Sequence, residues 1–79
     1  VQKQQFDWLL QHARTTHPDW PEAESVDVAI AWAADAGVRP KAIALSLGEP
    51  TTSRIRQRLH RIRERIGEDR AYALRIGTP

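Results

Sequence analysis

Residues 51–66 carry their apolar side chains with the period of an α-helix. Four of these side chains fall at i, i+4, i+7 and i+11 and draw one stripe along a helix, namely Ile55, Leu59, Ile62 and Ile66. The other positions are mostly cationic, with six arginines against one acid. The pattern therefore predicts a basic helix with one edge on a small core. Thr51 or Thr52 is expected to cap this helix, and Gly67 to end it.

Four further segments favour helices, and none alternates apolar and polar residues as a half-buried strand does. They cover residues 2–14, 21–36, 40–47 and 68–76. Proline and glycine mark the breaks between them, and Gly37 is expected to adopt a left-handed cap. Asp19 or Trp20 is expected to cap the second helix. The sequence predicts an all-α fold, a small helical bundle of about five helices.

Each predicted helix has an apolar face for the core. The first presents Phe6, Leu9, Leu10 and Ala13, and the second presents Val26, Ala29, Ile30 and Ala33 with Val28 and Trp32 beside them. The third presents Ile43, Ala44 and Leu47, and the last presents Ala71, Leu74 and Tyr72. Trp20, between two prolines, is expected to anchor the joint between the first two helices.

Length and composition narrow the class of protein. With 79 residues and no cysteine, the chain is expected to be one small domain without disulfides or thiolate metal sites. No apolar run approaches the length of a membrane span, and no leader opens the chain, so we expect no membrane contact and a cytoplasmic location. The chain has no methionine and begins at Val1, which we interpret as a piece of a longer protein.

The net charge of +2 hides an asymmetry between the two halves of the chain. Residues 1–36 carry two cations against six acids, a net charge of −4. Residues 37–79 carry ten cations against four acids, a net charge of +6. Such halves predict a dipolar domain whose basic side meets an acidic partner. The alternative is that both signs of charge simply keep a small protein soluble.

A short apolar helix, a tight turn and a long basic helix follow one another in residues 40–66. The turn is Gly48-Glu49-Pro50, and this order is typical of a helix-turn-helix. We therefore divide the chain into an N-terminal helix and linker, residues 1–20, and a helix-turn-helix DNA-binding domain, residues 21–79. The hydroxyls and free backbone N–H groups at the start of the basic helix suit a phosphate, and they belong to Thr51, Thr52 and Ser53.

A helical wheel divides the polar side chains of the basic helix into two groups. Opposite the apolar stripe lie the candidates for reading base edges in the major groove, namely Ser53, Arg56, Gln57 and His60. Better placed for backbone phosphates are Arg54, Arg58 and Arg61, together with Lys41 of the preceding helix. This division predicts sequence-specific binding of duplex DNA rather than attraction to charge alone.

Like charges on the basic helix support a polyanionic partner. Arg54 and Arg58, and likewise Arg61 and Arg65, stand four residues apart on one face. Each such pair destabilises an isolated helix by a few tenths of a kcal/mol, roughly 0.2–0.5. A phosphate contact removes that repulsion and releases counterions. The competing interpretations are a solvated basic helix of a bundle and a membrane-surface helix, although the apolar stripe is narrow and has no aromatic residue for an interface.

Residues 37–44, Gly-Val-Arg-Pro-Lys-Ala-Ile-Ala, resemble the G-L-S-x-K-E-I-A opening of LuxR-type (GerE-like) helix-turn-helix domains. Residues 54–59, Arg-Ile-Arg-Gln-Arg-Leu, are similar to the T-V-K-x-H-L of those domains, and the same stretch resembles the recognition helix of sigma-factor region four. The resemblance covers about residues 28–76 and implies a DNA-binding domain of a bacterial transcription regulator, with Arg56, Gln57 and His60 facing the bases. The turn departs from the pattern, because Glu49-Pro50 replaces the usual apolar-Ser pair and one residue is added before Ile55.

No pattern of catalytic or metal-binding residues is present in the sequence. His12, His17 and His60 have no neighbouring ligand set, and the serines have no base at a recognisable spacing. We therefore expect no enzyme activity, no metal and no cofactor. Two alternatives to a transcription regulator stay open: a protein-interaction module, and the DNA-binding domain of a plasmid or phage replication or partition protein. A homodimer and a contact with RNA polymerase are further partners that the sequence allows.

Overall fold

The computed structural model describes residues 1–77, so the last two residues of the predicted domain, Thr78 and Pro79, lie outside the described residues. Five helices make up the described chain: α1 (Gln2–Thr16), α2 (Glu22–Asp35), α3 (Pro40–Leu47), α4 (Thr52–Glu68) and α5 (Arg70–Ile76). Within these residues there is no β-strand. The predicted all-α fold, a small bundle of five helices, is confirmed.

Helix α2 is the centre of the bundle, with contacts to α1, α4 and α5. It buries eight of its residues, Ser25, Val26 and every residue of 28–33. A helix that is apolar all round is stable only when other helices surround it. Its alanines let those helices approach closely, and the Trp32 indole Nε1 donates a hydrogen bond of 2.6 Å to the Ile76 carbonyl at the end of α5.

Helix α1 contributes to the same hydrophobic core as the rest of the chain. Its four buried residues are those that the spacing predicts, Phe6, Leu9, Leu10 and Ala13. They pack against α2 and α3. A second link comes from the Gln2 side chain, which accepts a hydrogen bond of 3.0 Å from the backbone N–H of Arg39. Residues 2–16 therefore fix the position of α3 as well as that of α2.

Two of the three glycines that were predicted to end helices do so, and the third does not. Gly37 and Gly48 adopt the left-handed conformation, with φ of 87° and 70°, and end α2 and α3. The predicted end of α4 at Gly67 is wrong, because the helix continues to Glu68. Asp69 interrupts it instead, since its extended backbone leaves the helix and its carboxylate accepts the Tyr72 N–H at 3.1 Å.

The predicted cap of α2 is also wrong. Pro21 takes the N-cap position, and no side chain caps the helix. Trp20 is half-buried against the core and stacks on His17, with 3.7 Å between the ring centroids, so it does anchor the joint between α1 and α2. On α5, Tyr72 is buried as expected, whereas Leu74 is 74% exposed. Ala71, which was also expected to face the core, is exposed, and Ile76 is buried instead.

No helix in the described part of the chain combines the length and the apolar character that a membrane crossing requires.

The Asp7 carboxylate ties α1 to α3. It accepts a hydrogen bond from the Ser46 hydroxyl, and it lies 3.1 Å from the Lys3 ammonium. The hydrogen bond from Ser46 has the largest effect and the hydrogen bond from Lys3 the next largest, and both lower the pKa of Asp7 below its ordinary value of 3.8. Because the folded-state pKa is depressed, the stabilisation is fully present above pH 3.8 and is lost as the pH falls through the folded-state pKa.

We expect Asp7→Asn to remove this part of the acid sensitivity. The unfolding free energy of the variant should therefore fall less than that of the wild type between neutral pH and about pH 3. Urea titrations at a series of pH values measure the difference. Asp35→Asn, which changes an exposed carboxylate on α2, is the matched control and should follow the wild type. Parallel pH profiles for wild type and Asp7→Asn would show that Asp7 contributes nothing.

Candidate nucleic-acid interface

Helices α3 and α4 pack against each other and are joined by four residues, 48–51. The turn begins at Gly48, where the backbone N–H groups of Gly48 and Glu49 donate to the carbonyls of Leu45 and Ala44. This pair of hydrogen bonds closes α3 and reverses the chain direction within a few residues. Thr51 takes the N-cap position of α4 in an extended conformation, and its side chain makes no capping hydrogen bond.

Helix α4 lies with its apolar stripe on the core. Ile55 and Ile62 are buried, and Leu59 and Ile66 are half-buried against the same cluster. The predicted stripe is confirmed. Since one face of a helix is fixed in this way, the opposite face is directed away from the protein. Ser53, Arg56, Gln57 and His60, the residues expected to read bases, are all exposed.

Three of the predicted base-reading residues come together around one open depression on α4. Arg56, Gln57 and His60 line it, and Arg61, which was predicted to contact the backbone, lines it as well. His60 also approaches Glu64 one turn along the helix, with 2.8 Å between Nε2 and Oε1. The depression therefore offers guanidinium, amide and imidazole groups side by side, which are the groups that recognise guanine and adenine edges.

The predicted backbone-contacting residues Lys41, Thr51 and Thr52 line a second depression, between α3 and the start of α4. Glu49 lies in the same depression, and its carboxylate is 3.7 Å from the Arg54 guanidinium. Because no side chain caps α4, the backbone N–H groups of its first turn have no side-chain acceptor there. Those N–H groups and the Lys41 ammonium favour an anion at this end of the helix.

Arg58 differs from the other predicted backbone-contacting residues because it is bound to α2. Its Nε donates to the Asp27 carboxylate at 2.5 Å, and its Nη2 lies 3.3 Å from the Ala23 carbonyl. Both partners belong to α2, and the Arg58 side chain is only 28% exposed. Arg58 therefore ties the basic helix to the centre of the bundle and is not one of its unpaired surface cations.

The acids of the N-terminal half are largely occupied by ion pairs within the fold. Glu22 pairs with Arg14, Glu24 with Arg75 and Asp27 with Arg58. By contrast, several exposed cations of α3 and α4 have no carboxylate within ion-pair distance among residues 1–77: Lys41, Arg56, Arg61, Arg63 and Arg65. The positive charge of α4 is thus a surplus that the fold itself does not neutralise.

Two residues near the interface, Arg65 and Tyr72, were not among the predicted DNA-contacting residues. Arg65 places its guanidinium carbon 3.8 Å from the centroid of the Tyr72 ring. Both line a cavity of about 130 Å³ at the junction of α2, α4 and α5, together with Asp27, Arg58, Arg61 and Ile62. The spacing of Arg58, Arg61 and Arg65 along one helical edge was a usable signal for Arg65. No spacing along α4 indicates Tyr72, because it reaches the cavity from α5.

No protein-family model, curated protein or solved structure matches this chain.

Proposed function

We propose that the chain binds duplex DNA sequence-specifically, with α4 in the major groove, as the DNA-binding part of a bacterial transcription regulator acting in the cytoplasm. The observation that carries this proposal is the surplus of unpaired cations on the solvent side of α4, whose other side is held in the core. A helix about 10–12 Å wide fits the major groove, which is about 12 Å wide. The resemblance of residues 37–44 and 54–59 to LuxR-type domains supports the same conclusion.

Under this proposal the exposed side chains fall into two roles. Arg56, Gln57 and His60 read base edges from the depression that they share, with Ser53 one turn nearer the start of the helix. Contacts to the phosphate backbone come from the flanking groups, which are Lys41, Thr51, Thr52, Arg54, Arg61 and Arg65. Phosphate contacts fix the register on the duplex, whereas base contacts select the sequence. The two roles predict different behaviour when single arginines are removed.

Arg56→Ala is expected to relax selection at one base position at a cost of about 1–3 kcal/mol, because a guanidinium bidentate to guanine is lost. Arg61→Ala is expected to weaken binding to all sequences alike, because a phosphate contact is lost. Selection of bound duplexes from a randomised pool, followed by titration of the preferred and scrambled sites, measures both effects.

Arg14→Ala is the matched control, because Arg14 is an exposed arginine on α1 whose ion-pair partner, Glu22, belongs to α2 and not to the proposed interface. It should leave both affinity and selected sequence unchanged. If Arg56→Ala and Arg61→Ala behave alike, the division into base-reading and phosphate-contacting residues is wrong. If wild type selects no sequence and binds no duplex, the proposed function itself is wrong.

A protein-interaction module is the second candidate, and exposed apolar side chains favour it. Trp8 on α1 is 63% exposed, Leu45 on α3 is 64% exposed and Leu74 on α5 is 74% exposed. Large apolar residues at the surface mark contacts with other proteins more often when they are clustered. These residues are on different helices, so we assign them a secondary role, as contacts with a second copy or with RNA polymerase.

A further inference from the structure

We propose that the cavity between α2, α4 and α5 is a seat for a single phosphate group. The shared chemistry is a tetrahedral oxyanion, supplied either by a phosphodiester of bound DNA or by a free phosphate. The DNA form of the proposal rests on the function proposed above, whereas the free-anion form does not. Three observations support the seat: surplus charge at its mouth, a buried hydroxyl without a partner, and room for the group.

The charge around the cavity favours an anion. Of the three arginines that line it, Arg58 is neutralised by Asp27 at 2.5 Å. Arg61 and Arg65 have no carboxylate within ion-pair distance among residues 1–77. Two positive charges therefore face one small space one helical turn apart. Guanidinium groups bind phosphate oxygens through pairs of N–H donors, and such charge-assisted hydrogen bonds are stronger than neutral ones.

Tyr72 is the residue that α5 contributes to the lining of the cavity. It is 1% exposed, and its hydroxyl is a buried polar group with no hydrogen-bond partner among the described residues. Burial raises the pKa of Tyr72, and the nearby Asp27 carboxylate raises it further, so the phenol stays protonated at neutral pH and can donate a hydrogen bond. A buried donor without an acceptor is destabilising, and a phosphate oxygen would satisfy it.

Arg65 stands over the Tyr72 ring in a geometry that suits this role. Its guanidinium carbon is 3.8 Å from the ring centroid, so the cation contacts the face of the ring. A stacked guanidinium keeps the N–H groups on its edge available for a ligand. The cavity volume of about 130 Å³ is about ten times the roughly 10–15 Å³ that a single water needs, which leaves room for one phosphate.

The first test titrates inorganic phosphate into the protein at constant ionic strength and follows the ring resonances of Tyr72 by NMR. We expect a saturable shift in the wild type. Arg65→Gln should weaken phosphate binding about tenfold, and Tyr72→Phe about fivefold, because each removes one donor. Arg63→Gln changes an exposed arginine that does not line the cavity. It is the matched control and should bind phosphate as the wild type does.

Thermal unfolding in the absence of phosphate tests whether the Tyr72 hydroxyl lacks a partner. A purely structural role of Tyr72 would not give the result expected here. Without phosphate, Tyr72→Phe should unfold at a higher temperature than the wild type, since it removes a buried donor that lacks an acceptor. Added phosphate should then stabilise the wild type more than Tyr72→Phe. If Tyr72→Phe is less stable than wild type without phosphate, the hydroxyl is satisfied within the fold, by Asp27, and the seat is wrong. A phosphate titration without a saturable shift would overturn it as well.

A second arm identifies the source of the phosphate. Duplexes in which single phosphates are replaced by neutral methylphosphonates are titrated with wild type and with Arg65→Gln. If DNA fills the seat, one substitution weakens wild-type binding about tenfold and has little effect on Arg65→Gln. If the NMR shift is saturable but no DNA position behaves in this way, the seat takes a free anion. DNA binding without any response at the cavity, in either arm, would overturn the seat and leave the proposed function intact.

Discussion

Phe6→Ala is expected to lower the unfolding free energy by about 3–5 kcal/mol. Phe6 is fully buried, in the core cluster that α1 shares with α2, α3 and α4. Removing its ring leaves a cavity that the surrounding helices can close only in part, so the transfer free energy and the packing are both lost. At roughly 0.05–0.15 kcal/mol per residue, a domain of this size has about 4–12 kcal/mol in all. The variant should therefore lose at least about a quarter of the unfolding free energy of the domain.

Urea denaturation followed by far-UV circular dichroism measures this change. Trp8→Ala is the matched control on the same helix, because Trp8 is two residues away and 63% exposed. It should change the unfolding free energy by less than about 1 kcal/mol. Equal losses for Phe6→Ala and Trp8→Ala would mean that α1 does not pack as described. A small loss for Phe6→Ala would make residues 2–16 an appendage rather than part of the core.

The faces that α1 and α4 turn inward could be predicted because they depend on spacing alone. Phe6, Leu9, Leu10 and Ala13 are buried as expected on α1, and Ile55 and Ile62 on α4. The reason is that an amphipathic helix has only one orientation that removes its apolar stripe from water. The exposure of Arg56, Gln57 and His60 follows from the same geometry. A period in the sequence thus predicts the composition of the candidate interface.

What the sequence could not predict depends on contacts between distant residues. Arg58 and Arg61 stand on similar edges of α4, but only Arg58 pairs with Asp27. These two residues are 31 positions apart in the sequence. The Tyr72 ring lies under Arg65 because α5 folds back on α4, and no period within α4 contains that information. Gly67 stays helical because Asp69 provides a better cap two residues later. Tertiary pairing decided each of these outcomes.

Ion pairs between helices also explain the charge asymmetry between the two halves of the chain. Most of the acids on α2 face cations of other helices, as in Glu24 with Arg75 and Asp27 with Arg58. The acidic half is therefore used to hold the bundle together, and it does not form a separate acidic surface on α2. The basic half keeps Arg56, Arg61 and Arg65 outside these pairs. The repulsion among them is relieved only by an external anion, which makes the salt dependence of binding the sharpest test.

Affinity for duplex DNA is expected to fall about 150-fold between about 50 mM and about 200 mM salt, since each phosphate contact adds about −0.9 to the slope of log K against log salt. The estimate counts four exposed cations at the edges of the proposed interface, which are Lys41, Arg54, Arg61 and Arg65. Their contacts give a slope of about −3.6. Fluorescence anisotropy of a labelled duplex at a series of salt concentrations measures the slope directly.

The salt slopes of single variants show how much each residue contributes to the slope of the wild type. An affinity measured at one salt concentration does not give this information. Arg61→Gln should reduce its magnitude by about 0.9, because one fewer counterion is released. Arg58→Gln should leave the slope unchanged, since its side chain is only 28% exposed and its guanidinium pairs with Asp27 at 2.5 Å, whereas Arg54 is 69% exposed. The two variants remove the same charge from the same helix, so a general effect of net charge would change both slopes equally. A slope near zero in the wild type would exclude DNA as the partner of α4 and favour a protein in its place.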